Sequence, residues 1–165
     1  MSVKLGLAAF HCARSEIREK LYTAQRTLIE AGAVLAARGS TGLARRAIDP
    51  DVVDEIERDI DAIDATLPPL RNFVLPKPPL SALSLHDARV VCRRAERHVW
   101  RLAVDEEDVA FVAKFLNRLS DYLFAAARQE FHDFDDDQPE AIYNFTAEVR
   151  RRQQIAADDA STTSK

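Results

Sequence analysis

The sequence predicts an all-α protein, a five-helix bundle folded as one domain, and three observations carry that expectation. Apolar residues recur at three- and four-residue steps along most of the chain, the spacing of a helix face. There are only four glycines in 165 residues and no alternating apolar runs set between turn residues, which argues against a sheet. A hydrophobic fraction of 47% at this length is enough for a real core. The bundle is expected over residues 1–152, with a polar, small-residue tail over 153–165 that reads as disordered.

Taken in order, residues 2–13 are apolar with a single lysine and read as a first packing helix. Ser15 is the candidate N-cap of the next helix, in which Ile17, Leu21, Ala24, Leu28, Ala31 and Leu35 follow a bundle-seam spacing. That helix runs out at Arg38-Gly39-Ser40-Thr41-Gly42. The glycines there suggest a connector, since the loop follows a helix and lacks the lysine-serine or lysine-threonine ending of a phosphate cradle. Asp49-Pro50 opens a third helix, with Val53, Ile56, Ile60, Ile63 and Leu67 on its apolar face and acidic residues largely outside it. Five of the seven prolines then lie between Pro68 and Pro79, which forbids helix and predicts a stiff, extended connection.

The centre of the chain is the stretch from Leu83 to Arg128, two helices around a short acidic joint. In the first, Leu85, Ala88, Val91 or Cys92, Ala95, Val99 and Leu102 form one apolar face, while Arg89, Arg93, Glu96, Arg97 and Trp100 stack along another. In the second, Val109, Val112, Leu116, Leu119, Leu123 and Ala127 give a core face and Phe111, Phe115 and Tyr122 a second apolar strip. Lys114, Asn117, Asp121 and Arg128 make a polar one. A helix apolar on two sides is either central in its bundle or shared with a partner subunit. Beyond it, the stretch from Gln129 to Asp137, with His132 and three consecutive aspartates, reads as a soluble acidic loop, and Pro139 restarts a helix through Ile142, Phe145 and Val149.

Charge is distributed unevenly. Residues 84–103 carry five arginines against Asp87 and Glu96, a local +3 in a chain of net charge -4. Such a face is either solvated, with local ion pairs such as Arg93 with Glu96, or a polyphosphate site. In the second case Asn117 would offer amide hydrogen bonds to a base or sugar. Nucleic acid is a poor fit, because the chain is acidic overall and Trp100 is the only aromatic interleaved with the arginines. Cys12 and Cys92 lack metal-type spacing and read as reduced core residues of a reducing compartment. No apolar run reaches the ~18 residues of a membrane span and no signal-peptide pattern is evident.

The string Leu-His-x-x-Arg-x-x-Cys-Arg-Arg-Ala-Glu-Arg, ending at Arg97, is followed by Lys-Phe-Leu-Asn-Arg-Leu-Ser-Asp-Tyr-Leu-Phe, ending at Phe124. Together with Leu67-Pro-Pro-Leu-Arg-Asn-Phe-Val-Leu-Pro76, these resemble the signature of the ATP:cob(I)alamin adenosyltransferases of the trimeric helical-bundle (PduO-type) family, over roughly residues 5–131. The resemblance implies transfer of the 5′-deoxyadenosyl group of ATP, with magnesium, to cob(I)alamin and release of triphosphate. It implies ATP contacts from Arg93, Arg94, Glu96, Arg97 and Asn117. Phe73 falls where the family's phenylalanine sits under the corrin and displaces the lower cobalt ligand. Arg89 matches an arginine that pairs across the subunit boundary with a first-helix aspartate. A homotrimer and a cytoplasmic or mitochondrial-matrix location follow from the same resemblance.

Two departures go with it. The family's first helix opens on an Asp-Glu pair and is preceded by a nucleotide loop of the Thr-Lys-x-Gly-Asp-x-Gly kind, and this sequence is expected to start after both. Where the family has Gly-Gly after the proline, this chain has Lys77-Pro78-Pro79, so the corrin-side loop is expected to be remodelled. The alternative expectation is accordingly a non-catalytic relative that keeps the bundle as an interaction or assembly module in a larger complex.

Overall fold

The computed structural model describes residues 1–37, 48–70, 73–102, 106–134, 142–143 and 145–162. Six helices lie among them: α1 (Ser2–His11), α2 (Ser15–Ala36), α3 (Asp51–Asp64), α4 (Leu80–Trp100), α5 (Glu107–Phe134) and α6 (Phe145–Thr162). Two short strands, β1 (Phe73–Val74) and β2 (Ile142–Tyr143), pair antiparallel with Phe73 opposite Tyr143 and Val74 opposite Ile142. None of the helices is long and apolar enough to cross a membrane.

α5 is the axis of the bundle. It packs against α4, α3 and α2, while α1 lies between α2 and α4. All six expected core positions of α5, from Val109 to Ala127, are buried, and so are Phe115 and Tyr122 of its second apolar strip. The two-sided apolar pattern is therefore explained by a central position within this chain. On α4 the choice between Val91 and Cys92 falls to Cys92, which is fully buried and donates its thiol to the Leu116 carbonyl at 3.2 Å. Leu102, expected on the same face, lies past the last turn and is half exposed.

The α1–α2 joint differs from expectation in an instructive way. Ser15 is helical, and no side chain of the joint itself caps α2. The free amides at Ala13 and Arg14 instead donate to the two carboxylate oxygens of Glu130, each at 3.2 Å. Glu130 sits 117 residues away on α5 and is buried, so the cap is tertiary. Beside it Arg14 clamps Asp133 through two hydrogen bonds. At α3 the helix starts at Asp51 with Pro50 in the N-cap place, one residue later than Asp49-Pro50 suggests, and the Asp49 carboxylate still accepts from the Asp51 amide at 3.0 Å.

Four expectations fall elsewhere. The glycine-bearing connector and Asp135 to Asp137 lie outside the described residues, while Gln129 to Phe134, expected in the acidic loop, continue α5 because Gln129 and Glu130 are buried against the bundle. Ile142, expected in the last helix, is in β2, because the strand partner supplied by the proline-rich segment offers it a ladder. Helix α6 starts three residues later and continues through 153–162, where composition suggests a disordered tail. Its good helix formers and the Glu148–Arg152 pair at 3.1 Å, four residues apart, favour that extension.

Candidate active site

The α4–α5 pair builds the candidate site, because its antiparallel packing turns two sequence strips into one face. Asn117 donates its side-chain amide to Glu96 at 2.9 Å. Seven residues before Glu96 stands Arg89, and seven after Asn117 stands Phe124, with the Arg89 guanidinium stacked 4.7 Å above the Phe124 ring. Both contacts thus belong to a single register two helical turns apart. His86 reaches the same ring, 6.1 Å between centroids and tilted by 55°.

Electrostatics along this face are graded. Arg89 is half-buried, and burial pulls its guanidinium below the ordinary arginine value; the neighbouring Arg93 adds to the effect and Asp121 opposes it. Arginine remains charged at any accessible pH, and the Phe124 ring lies against this cation, while Asp121 itself pairs with Arg118 at 3.3 Å. Arg93, Arg94 and Arg97 are exposed. No ion pair among the described residues involves any of the three, and Glu96, the expected local partner of Arg93, is engaged by Asn117 instead. Three guanidinium forks on one helix, without an ion pair among the described residues, are suited to a polyanion.

Phe73 stands at the far end of the face. It is 73% exposed, so it is not a core plug of this chain. The strand that carries it crosses above α4 and α5, where Val74, Leu75 and Lys77 roof a small cavity floored by Ala82, His86, Ala127, Arg128 and Phe131. His86 links the two regions, since it lines that cavity and touches Phe124. Of the seven candidate residues, Glu96 and Asn117 are joined directly, and Arg89 and Arg93 lie along the same helix as Glu96. Arg94 and Arg97 share their helix, and Phe73 is set apart on the strand.

Sequence reading set Asp121 on the polar strip of Asn117 but missed His86 and Phe124 as members of this face. The signal was present: an antiparallel helix pair through a short joint has one register, and once Glu96 faces Asn117, Arg89 must face Phe124. Fixing that register, however, takes the Cys92–Leu116 contact, which no local pattern displays.

Comparison with known proteins identifies the family of the chain and its fold. The model of the cobalamin adenosyltransferase family matches residues 1–130, most of the chain and both helices of the site. The chain belongs to the cobalamin adenosyltransferase family. It is 46% identical over 114 residues to the mouse corrinoid adenosyltransferase MMAB, covering 67% of this chain and 48% of that protein. The Bacillus subtilis corrinoid adenosyltransferase is 41% identical over 113 residues, 68% of this chain and 58% of the relative. The chain spans about half the length of the mammalian relatives it matches. Among solved structures, a PduO-type ATP:corrinoid adenosyltransferase from Lactobacillus reuteri superposes with a TM-score of 0.74 at 28% identity. The match covers 87% of this chain and 80% of that one, a phenylalanine-to-alanine variant complexed with cobalamin and ATP. An arginine-to-lysine variant of the same enzyme complexed with ATP gives 0.71 at 29% identity, covering 87% and 81%.

Proposed function

We propose that this protein is a corrinoid adenosyltransferase, moving the 5′-deoxyadenosyl group of magnesium-bound ATP to cob(I)alamin. The observation that carries the reading is the row of exposed arginines Arg93, Arg94 and Arg97, unpaired among the described residues, beside the ordered Asn117–Glu96 pair. In the reaction the Co(I) electron pair attacks the 5′ carbon. The C5′–O bond breaks, its electrons leave on triphosphate, and cobalt becomes formally Co(III). Charge therefore grows on the leaving polyphosphate, and fixed guanidinium forks together with the magnesium that enters with ATP stabilise it. Glu96 takes the amide hydrogen of Asn117, which leaves the Asn117 carbonyl oxygen free to accept from a ribose hydroxyl or an adenine amino group. Phe73, exposed on its strand, serves the lower corrin face by keeping a ligand off cobalt.

The site is completed between subunits of a homotrimer in this reading. Its support is the apolar strip Val3, Leu7 and Phe10 of α1 beside Val90 of α4, all exposed in the single chain. The Lys4–Asp87 ion pair at 2.6 Å holds the two helices together there. Sedimentation should give a species near three times the 18.5 kDa chain, and a clean monomer at micromolar concentration would remove the shared site. Both cysteines are free and buried, which fits a reducing compartment, the cytoplasm or a mitochondrial matrix.

The deciding experiment is anaerobic turnover of chemically reduced cob(I)alamin with magnesium-ATP, followed by loss of the cob(I)alamin absorbance. Adenosylcobalamin that forms with the parent protein and not with Arg93→Ala establishes the reading. A folded, associated protein without turnover would instead be an assembly module built on the same bundle.

A further inference from the structure

We propose that Arg128 is the positioning residue for Phe73, acting through the proline-rich segment that carries it; the inference rests on the reading of Phe73 as the residue of the lower corrin face. Arg128 is an arginine on the central helix whose side chain is only 5% exposed. One arm of its fork donates to the Pro68 carbonyl at 2.6 Å, and the other to the Asp64 carboxylate at 3.4 Å, where α3 ends. The chain leaves the bundle at that point. Five residues later it returns as β1, and Arg128 lines the cavity beneath Val74, Leu75 and Lys77. The same side chain therefore grips the segment before Phe73 and lies under it afterwards.

Among the described residues, the other restraint on Phe73 is its pairing with Tyr143. The Phe73 ring is mostly in solvent, and its strand is two residues long. Pro68, Pro69 and Pro76 have no N–H to donate, so the segment has fewer backbone donors with which to hold itself. Proline-rich backbone is also stiff, and two of the first three residues of the segment are prolines. A stiff arm transmits a shift at its anchored end to its tip. A lysine at position 128 keeps the charge but can satisfy the carbonyl and the carboxylate only with one compact ammonium, without the planar fork.

The test compares the parent with Arg128→Lys, Arg128→Met and Phe73→Ala in two turnover assays and by amide hydrogen exchange. Cob(I)alamin in solution already has no lower ligand, so turnover from pre-reduced cob(I)alamin does not need Phe73. Turnover from cob(II)alamin with a chemical reductant does. Arg128→Lys is expected to stay within about twofold of the parent in the first assay and to fall about tenfold or more in the second, as Phe73→Ala does. The Val74 and Leu75 amides should exchange faster while those of α1 and α2 do not change. Equal losses in both assays, or unaltered exchange at Val74 and Leu75, would overturn the proposal. If the parent itself turns over nothing, the functional reading fails, and exchange at Val74 and Leu75 still decides whether Arg128 places the arm.

Discussion

Replacing Glu130 by glutamine tests whether the bundle's first joint is held from its central helix. The two carboxylate oxygens accept from the Ala13 and Arg14 amides at 3.2 Å each, and the residue is 3% exposed. Glutamine has the same shape but only one acceptor oxygen. One bond would survive without its charge assistance, a loss of about 1 kcal/mol, and the other amide would face an NH2 group, leaving a buried donor unmet at about 1–3 kcal/mol. Burying a carboxylate has its own desolvation cost, which glutamine relieves. Here the donors are backbone amides at a helix start and cannot be repacked, so the broken bonds should outweigh that relief. The net expectation is a loss of about 3 kcal/mol, or a melting midpoint lower by about 6–12 °C for a chain of this size. Melts must be run at fixed protomer concentration, because association adds to apparent stability. Glu148→Gln, which breaks only the helical pairs of α6, is the control and should stay within about 0.5 kcal/mol of the parent. A Glu130→Gln shift no larger than that control refutes the tertiary cap.

Arg93→Ala should lower turnover by about 10²–10³, as loss of one fixed donor at a developing charge does, and Arg93→Lys should recover part of it in the same anaerobic assay. Burial, followed by nearby acidic charge, pushes both thiols up to about 12. At pH 8 only about one in ten thousand would be thiolate, so neither cysteine should react with an alkylating reagent until the protein is unfolded, which mass spectrometry reads directly. The Arg14 hydrogen bond holds the Asp133 carboxyl below its ordinary value of 3.8, against a smaller opposing effect of burial. A depressed folded-state value means stability that is present above the unfolded value and lost as pH falls through the folded one. Acid unfolding below about pH 4 should therefore lose this contribution in the parent, while Arg14→Ala should flatten that part of the curve.

The sequence by itself determined the helices and their inward faces. Periodicity alone picked the six core positions of α5 and most of those of α2 and α3, where Leu28, Leu35 and Ile60 are partly buried and Thr27 and Val52 are buried beside the expected stripe, because a helix has one spacing and a core has one side. It also supplied the arginine row and Asn117, since exposed charge at helical steps is visible in one dimension. The family strings added Phe73. The tertiary structure decided what depends on registers between distant segments. Whether Arg93 or Asn117 engages Glu96 rests on how α4 lies on α5, and there Asn117 takes it. Phe124 entered the site as the ring beneath Arg89, and Glu130 replaced Ser15 as the cap of α2. Arg128, one of a polar strip by spacing, turned inward to Pro68 and Asp64. These contacts join residues 21 to 117 positions apart, and a linear pattern does not encode which distant partner satisfies a buried donor. Only the packed bundle, in which each such group must find a partner, fixes that choice.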